Sequence, residues 1–335
     1  MGVNAVRRRD HRIPFDMFDV AHSDIEARRA RRMENIYHAG QTKIWNGREV
    51  LAQLIDKHGR PTLPTEKRHA LARVFAIILW GELAAWKISA QLADRLVPLE
   101  AKLAAASQVH DEARHFYVMH DYLEALGEKP AKMEFWARRV LRKTLETDDL
   151  LKKIVGMQLT VETIAMVVFQ RIRELEVEPV LTELMGYYER DEARHVGLGV
   201  QLVPQLMSDL SIAKAIELTL FRLDLLTTTL LSLKTIESDL LALGVDPRTL
   251  LGIAFRKQED IDERIRTEFP RWPTDPPMRR IFEGCCEALF PSAGADARVP
   301  WRLRLAHAIE VAARKRPGVY EQWGQREQRE QREQG

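Results

Sequence analysis

The 335-residue chain is 45% hydrophobic and 30% charged, which supports a packed core and rules out a disordered chain. Its 51 Lys+Arg nearly cancel its 49 Asp+Glu, leaving +2 and none of the global basic field expected of a nucleic-acid binder. Two adjacent cysteines, Cys285 and Cys286, can build neither a disulfide framework nor a cysteine-rich zinc site, and no apolar run reaches the roughly 18 residues that span a bilayer.

Arginines at 7–9 are followed by no apolar stretch, so no secretory signal is read there, and a soluble, reduced, cytoplasmic protein is the expectation. Residues 1–64 mix scattered aromatics with basic runs such as Arg28-Arg29-Ala30-Arg31-Arg32, and are expected to wrap the main body. Apolar residues recurring at three and four then predict helices over 65–96, 99–126, 134–146, 148–175, 180–207, 211–243, 247–268, 277–289 and 301–314. Gly127 and Gly244 are natural stops, and proline-punctuated loops at 269–277 and 291–300 separate the last helices. The tail 325–335 repeats Gln-Arg-Glu without an apolar face and is expected to be solvated. The expected organisation is therefore all-α: a wrapping segment over 1–64, a bundle over 65–207, additional helices packed on it over 208–324, and the tail.

An internal repeat carries the chemistry. Asp111-Glu112-Ala113-Arg114-His115 recurs as Asp191-Glu192-Ala193-Arg194-His195, offset by 80 residues, and the same offset carries Glu82 onto Glu162. Within each Glu-x-x-His, positions i and i+3 share one helix face, so a carboxylate and an imidazole point the same way. The thirty-residue interval from Glu82 to Glu112, with Pro98 near its midpoint, fits a helix running out and another returning to the same height. Glu162 and Glu192, with Pro179 between them, repeat the manoeuvre. Two such hairpins joined by a crossover make a four-helix bundle presenting Glu82, Glu112, His115, Glu162, Glu192 and His195 at one level. Their flanking residues are apolar, and four bare carboxylates in such surroundings repel and protonate. Two cations remove the difficulty, and four Glu plus two His suit iron or manganese.

This constellation resembles the ferritin-like di-iron carboxylate superfamily, which includes the ribonucleotide reductase small subunit, bacterial monooxygenase hydroxylases, acyl-carrier-protein desaturases, rubrerythrins and R2-like ligand-binding oxidases. The resemblance implies two iron ions, or a Mn/Fe pair, with Glu82, Glu112 and His115 favouring one metal and Glu162, Glu192 and His195 the other. It makes Glu112 and Glu192 the bridges. It pairs Asp191 with His115 and Asp111 with His195, with Arg114 and Arg194 offsetting the acidic layer outside. Gln108 and Tyr188, one turn before Glu112 and Glu192, are candidates for hydrogen-bonding a metal-bound oxygen species. The apolar neighbours Trp86, Ala85, Phe116, Met119, Met166 and Phe169 are the expected walls of a substrate pocket.

The chain departs from the named subfamilies. Met119 stands where the reductase subunit has its radical tyrosine, Met157 where the ligand-binding oxidases have their cross-linking tyrosine, and Met166 where the monooxygenases place a threonine. The expected function is an O2-activating oxidoreductase acting on a small apolar organic molecule, with electrons from a separate electron-transfer protein. A homodimer is one possible assembly, and neither a membrane nor a nucleic acid is an expected partner. The alternatives are a ferroxidase or peroxide-detoxifying metal-handling protein and a non-enzymatic helical module.

Overall fold

The computed structural model describes residues 33–97, 99–207, 211–268, 276–291 and 299–315. The arginine run at 28–32, Pro98, most of the loops at 269–277 and 291–300, and the tail lie outside the described residues. Among the described residues every regular element is helical, so the all-α expectation holds. No helix among them is long and apolar enough to cross a membrane.

A helical stretch over residues 33–42 precedes α1 (Gly47–His58), which starts where the Asn46 side chain accepts from the Arg48 and Glu49 amides. The central bundle follows as α2 (Thr65–Arg95), α3 (Leu99–Ala125), α6 (Glu162–Glu174) and α7 (Pro179–Met207). The pairs α2/α3 and α6/α7 pack along their lengths as the two hairpins the spacing predicts. The crossover between them contains α4 (Phe135–Glu146) and α5 (Leu150–Gly156). Caps set both: Glu134 accepts from the Trp136 and Ala137 amides, and Asp149 from those of Leu151 and Lys152. Beyond the bundle, α8 (Ile212–Thr235), α9 (Glu237–Ala242) and α10 (Pro247–Glu268) lie over it, and α11 (Pro276–Leu289) pairs with α12 (Trp301–Ala312).

The bundle core is three layers deep. One apolar layer holds Phe75, Leu79, Met119, Tyr122, Phe169 and Leu184. A second holds Ala85, Ile88, Ala105, Leu159, Val196 and Leu202. On each of the four helices the change from one layer to the other falls at Glu82, Glu112, Glu162 or Glu192. The polar residues thus occupy a sheet between two greasy slabs, and burial of those slabs, about 25 cal/mol per Å² of apolar surface, is what holds the acids inside.

The predicted helix 148–175 is found without a gap over 150–174, with one departure from α geometry inside it. It runs as α5, a π-helical turn over Met157–Val161, and α6. Thr160 Oγ1 donates to the Val155 carbonyl at 2.9 Å, a five-residue reach that suits the wider turn. The turn ends on Glu162, and its bulge is accommodated by Gly199 on α7. A Cβ at Gly199 would stand 2.8 Å from Gln158 Cβ and 2.9 Å from Leu159 Cδ2. Gly199→Ala is therefore expected to cost about 1–3 kcal/mol by overpacking. Gly197→Ala, where nothing lies within 4 Å, is expected to be neutral or stabilising, and thermal unfolding of the two variants checks the contrast. The predicted helix 211–243 divides at Ile236, because α9 turns back onto α2, where Asp239 accepts two hydrogen bonds from Arg73.

Candidate metal centre

The six repeat residues converge in the polar layer, and none is more than 4% exposed. One donor atom from each of Glu82, Glu112, His115 and Glu192 lies within 4.8 Å of the others, and the same holds for Glu112, Glu162, Glu192 and His195. Glu112 and Glu192 belong to both groups. His115 Nδ1 stands 3.3 Å from Glu82 Oε2 and 3.3 Å from Glu192 Oε1. His195 Nδ1 stands 3.0 Å from Glu192 Oε2 and 3.1 Å from Glu112 Oε1. Both imidazoles therefore turn Nδ1 toward the carboxylates.

Their other nitrogens face the opposite half of the repeat. His115 Nε2 is 3.2 Å from Asp191 Oδ2, and His195 Nε2 is 3.4 Å from Asp111 Oδ2. Two guanidiniums tie these aspartates together. Arg114 donates to Asp111 at 2.6 Å and Asp191 at 2.8 Å, and Arg194 donates to Asp111 at 2.9 Å and lies 2.8 Å from Asp191. The arrangement fixes each ring's orientation from behind.

Other side chains brace the cluster. Gln108 donates from its amide to Glu112 Oε1 at 2.9 Å and to Glu162 Oε1 at 3.1 Å. Tyr188 behaves differently from Gln108: its hydroxyl donates to the His115 carbonyl at 2.7 Å and its ring stacks on the imidazole, so it positions His115 instead of reaching between the carboxylates. Trp45 was not singled out in the sequence. Its indole donates to Asp191 Oδ2 at 2.7 Å while the Arg114 guanidinium lies over its ring. No periodic or repeated signal marks it, because it sits in the loop before α1 and has no counterpart in the other half. The Arg190 guanidinium donates to the neighbouring Lys43 carbonyl at 3.1 Å and ties that loop to α7.

Protonation follows from this geometry. Burial, then the nearby carboxylates, pushes Glu82 and Glu162 well above the usual carboxylate range. Burial acts the same way on Glu112 and Glu192, but the His195 and His115 imidazoles outweigh it and hold both low. The histidines, which burial alone would depress, are raised well above their ordinary value by the acids around them. Asp111 is held at about 2 against the cost of its burial, chiefly by His195. Without metal, the raised proton affinity of Glu82, Glu162 and the two imidazoles offsets the negative charge that the buried acids would otherwise carry.

That cluster is suited to two metal ions. Glu112 Oε2 and Glu192 Oε1 are buried and accept no hydrogen bond among the described residues, a costly state for carboxylate oxygens that a cation relieves. Both orphaned atoms belong to the two residues common to the two donor groups. Four carboxylates and two imidazoles are the donor chemistry of iron and manganese.

An apolar cavity of about 130 Å³ lies against Glu82 and Glu162, walled by residues that include Ile78, Ala85, Val140, Leu141, Ala165 and Val168. A second of about 90 Å³ adjoins it, sharing Ile164, Thr229 and Leu250 as a wall. The residues expected to wall a substrate pocket stand differently around these two cavities. Ala85 lines the first cavity, whereas Trp86, Phe116, Met119, Met166 and Phe169 line neither. Trp86 is 40% exposed, the Phe116 ring lies tilted against Trp80, Met119 and Phe169 are core, and Met166 is partly buried. Helical rotation explains the difference. At about 100° per residue, Ala85 and Ala165 lie to one side of the glutamate three positions back, and Trp86 and Met166 to the other. The cavity is on the flank covered by α4 and α8, a choice made by the crossover.

The fold is that of a ferritin-like helical bundle, and it encloses a buried cluster of four glutamates and two histidines. No protein-family model matches the chain, and no curated protein does. Solved structures do. One is a protein with aldehyde deformylating oxidase activity from Synechococcus, 17% identical, with a TM-score of 0.52 over 60% of this chain and 92% of that one. Another is a variant of an R2-like ligand-binding oxidase with an aerobically reconstituted Mn/Fe cofactor, 17% identical, at 0.52 over 69% and 93%. A second variant of that oxidase, reconstituted anaerobically, matches at 17% identity and 0.54 over 69% and 92%.

Proposed function

We propose that the protein is an O2-activating oxidoreductase with two iron ions, or a manganese and an iron, acting on a small apolar organic substrate. Glu82, Glu112, His115 and Glu192 would hold one ion and Glu112, Glu162, Glu192 and His195 the other, with Glu112 and Glu192 shared. Such a pair, when bound, supplies electrons to dioxygen and Lewis acidity for the charge that develops. The observation that carries the proposal is the apolar cavity opening directly onto Glu82 and Glu162. A ferroxidase needs a polar route for ions to that point, and a purely structural acidic layer needs no cavity. The two kinds of structural neighbour, both described as oxidases, support the same choice.

The protein's own residues supply orientation and dryness. Asp111 and Asp191 keep Nδ1 of each imidazole turned inward, and Gln108 holds one oxygen each of Glu112 and Glu162. The aliphatic walls keep bulk water from the carboxylates, which strengthens every charge interaction among them. The sequence shows no flavin or nicotinamide motif, so electrons would come from a separate electron-transfer protein. The test is anaerobic Fe(II) loading followed by O2. Oxygen uptake and a ferric near-ultraviolet band are expected in the native protein and lost in Glu112→Ala and His195→Ala. An unchanged response in both variants rejects the proposal.

A further inference from the structure

Helix α4 has two working faces. Ala137, Val140 and Leu141 on its inner side close the cavity beside Glu82 and Glu162. Arg138 and Arg142 on its outer side are exposed. Outside α4 a surface groove of about 670 Å³ runs between it, α2 and residues 130–133. Trp80 and Leu141 contribute apolar surface to that groove, Lys87, Lys132, Arg138 and Arg142 contribute cations, and no carboxylate lines it. Lys87, Lys132 and Arg138 have no ion-pair partner among the described residues, and Arg142 pairs with the exposed Glu146 one turn on. Four like charges around an apolar trough repel one another, and an anion with an apolar body relieves both the repulsion and the exposed hydrocarbon. Leu141 lines the groove and the inner cavity alike and is only 8% exposed, so a single side chain forms the wall the two share.

We propose that this groove binds an organic anion, a carboxylate or a phosphate monoester on an apolar chain, with its charge held by Lys87, Lys132, Arg138 and Arg142. The chain lies over Trp80 toward Leu141, and Leu141 is the gate through which its end reaches the cavity. The step beyond Leu141 rests on the function proposed above; binding in the groove does not, and it needs no metal. The proposal sets the charge of the substrate and the end from which it enters. It also places the charged head at the surface, with the chain end nearest Glu82 and Glu162.

Calorimetric titration of the metal-free, full-length protein with octanoate, octyl phosphate and 1-octanol tests it. Either anion or both are expected to bind at least about tenfold more tightly than 1-octanol, and their ratio identifies which head group the site prefers. Raised salt should weaken the anions and leave the alcohol unchanged. The double variant Lys132→Glu/Arg138→Glu, both exposed positions, should lose at least about tenfold in anion affinity. Equal affinity for alcohol and anions, or anion binding untouched by the charge reversal, overturns the proposal. So does a result in which the reversal spares anion binding but abolishes reduction by an acidic electron carrier, which would make the face a protein-docking surface. For the gate, affinity along a carboxylate series from butanoate to decanoate should rise about fourfold per methylene until the chain fills the space. Leu141→Trp should end that rise at a shorter chain, and an unchanged series rejects the gate. Because no metal is present, failure of any arm leaves the dinuclear centre standing, and failure of metal loading leaves these titrations intact.

Discussion

Alanine at Glu112 or Glu192 is expected to empty both metal positions, whereas alanine at Glu82 or Glu162 is expected to leave one ion in place. Glu112 and Glu192 each lie within 4.8 Å of both imidazoles' donor atoms and of the terminal glutamates, while Glu82 and Glu162 each belong to one group. Removing a shared carboxylate takes a donor from both ions at once. Loss of a residue that merely orients a ligand costs about 10–100-fold in metal affinity, so loss of a shared ligand should exceed about 100-fold for both ions. Metal analysis after Fe(II) reconstitution and desalting distinguishes the variants: none retained for Glu112→Ala and Glu192→Ala, one per chain for Glu82→Ala and Glu162→Ala. One ion retained in all four would mean that the two sites are independent. Oxygen uptake should fall in every variant, since both ions are needed, so metal content and not activity is the discriminating measurement.

What could be read in the sequence, and what could not, divides along physical lines. The polar layer was legible because its geometry is local: Glu112 and His115 share a helix face whatever the rest of the chain does, and a thirty-residue return fixes the height of Glu82. The repeat then supplied the second half. The π turn before Glu162 was not legible, since Met157–Val161 has the apolar character of a continuous helix. Its sign in the sequence is two glycines, Gly156 and Gly199. A Cβ at the first would meet Thr144 Cγ2 at 2.5 Å, and one at the second would meet the turn itself, but such contacts belong to tertiary packing. Trp45 lay hidden for a similar reason. Its indole reaches Asp191 across 146 positions of sequence, and nothing near residue 45 announces the acceptor. The cavity beside Glu82 lies one helical step from the expected walls because the covering helices decide which flank of Glu82 is roofed. Sequence periodicity shows that a face is apolar, not which neighbour covers it.

Metal uptake is expected to release protons, in a number that calorimetry can count, so affinity for the pair should rise with pH. The protons come from the groups on which the cluster retains them: Glu82 and Glu162, raised by burial and then by their acidic neighbours, and His115 and His195, raised by the acids around them despite burial. Each must give up its proton to coordinate, whereas Glu112 and Glu192 are already ionised. Stability of the metal-free protein should run the other way. The unfolded chain releases its histidine protons near 6.5 and its glutamate protons near 4.5, and the folded cluster holds all four to higher pH, so rising pH through that interval removes stability. Asp111, held at about 2, and Asp191, held lower, act oppositely and lose their contribution only as pH falls through those depressed values. Metal-free protein should therefore be most stable on the acidic side of neutrality and soften toward pH 9, and Fe(II) or Mn(II) should restore what alkali removes. Titration calorimetry in two buffers of different ionisation enthalpy counts the protons, and thermal unfolding from pH 5 to 9, with and without metal, checks the sign. A proton count near zero, or a metal-free protein that gains stability with pH across that range, would show that the buried cluster is ionised before any cation arrives.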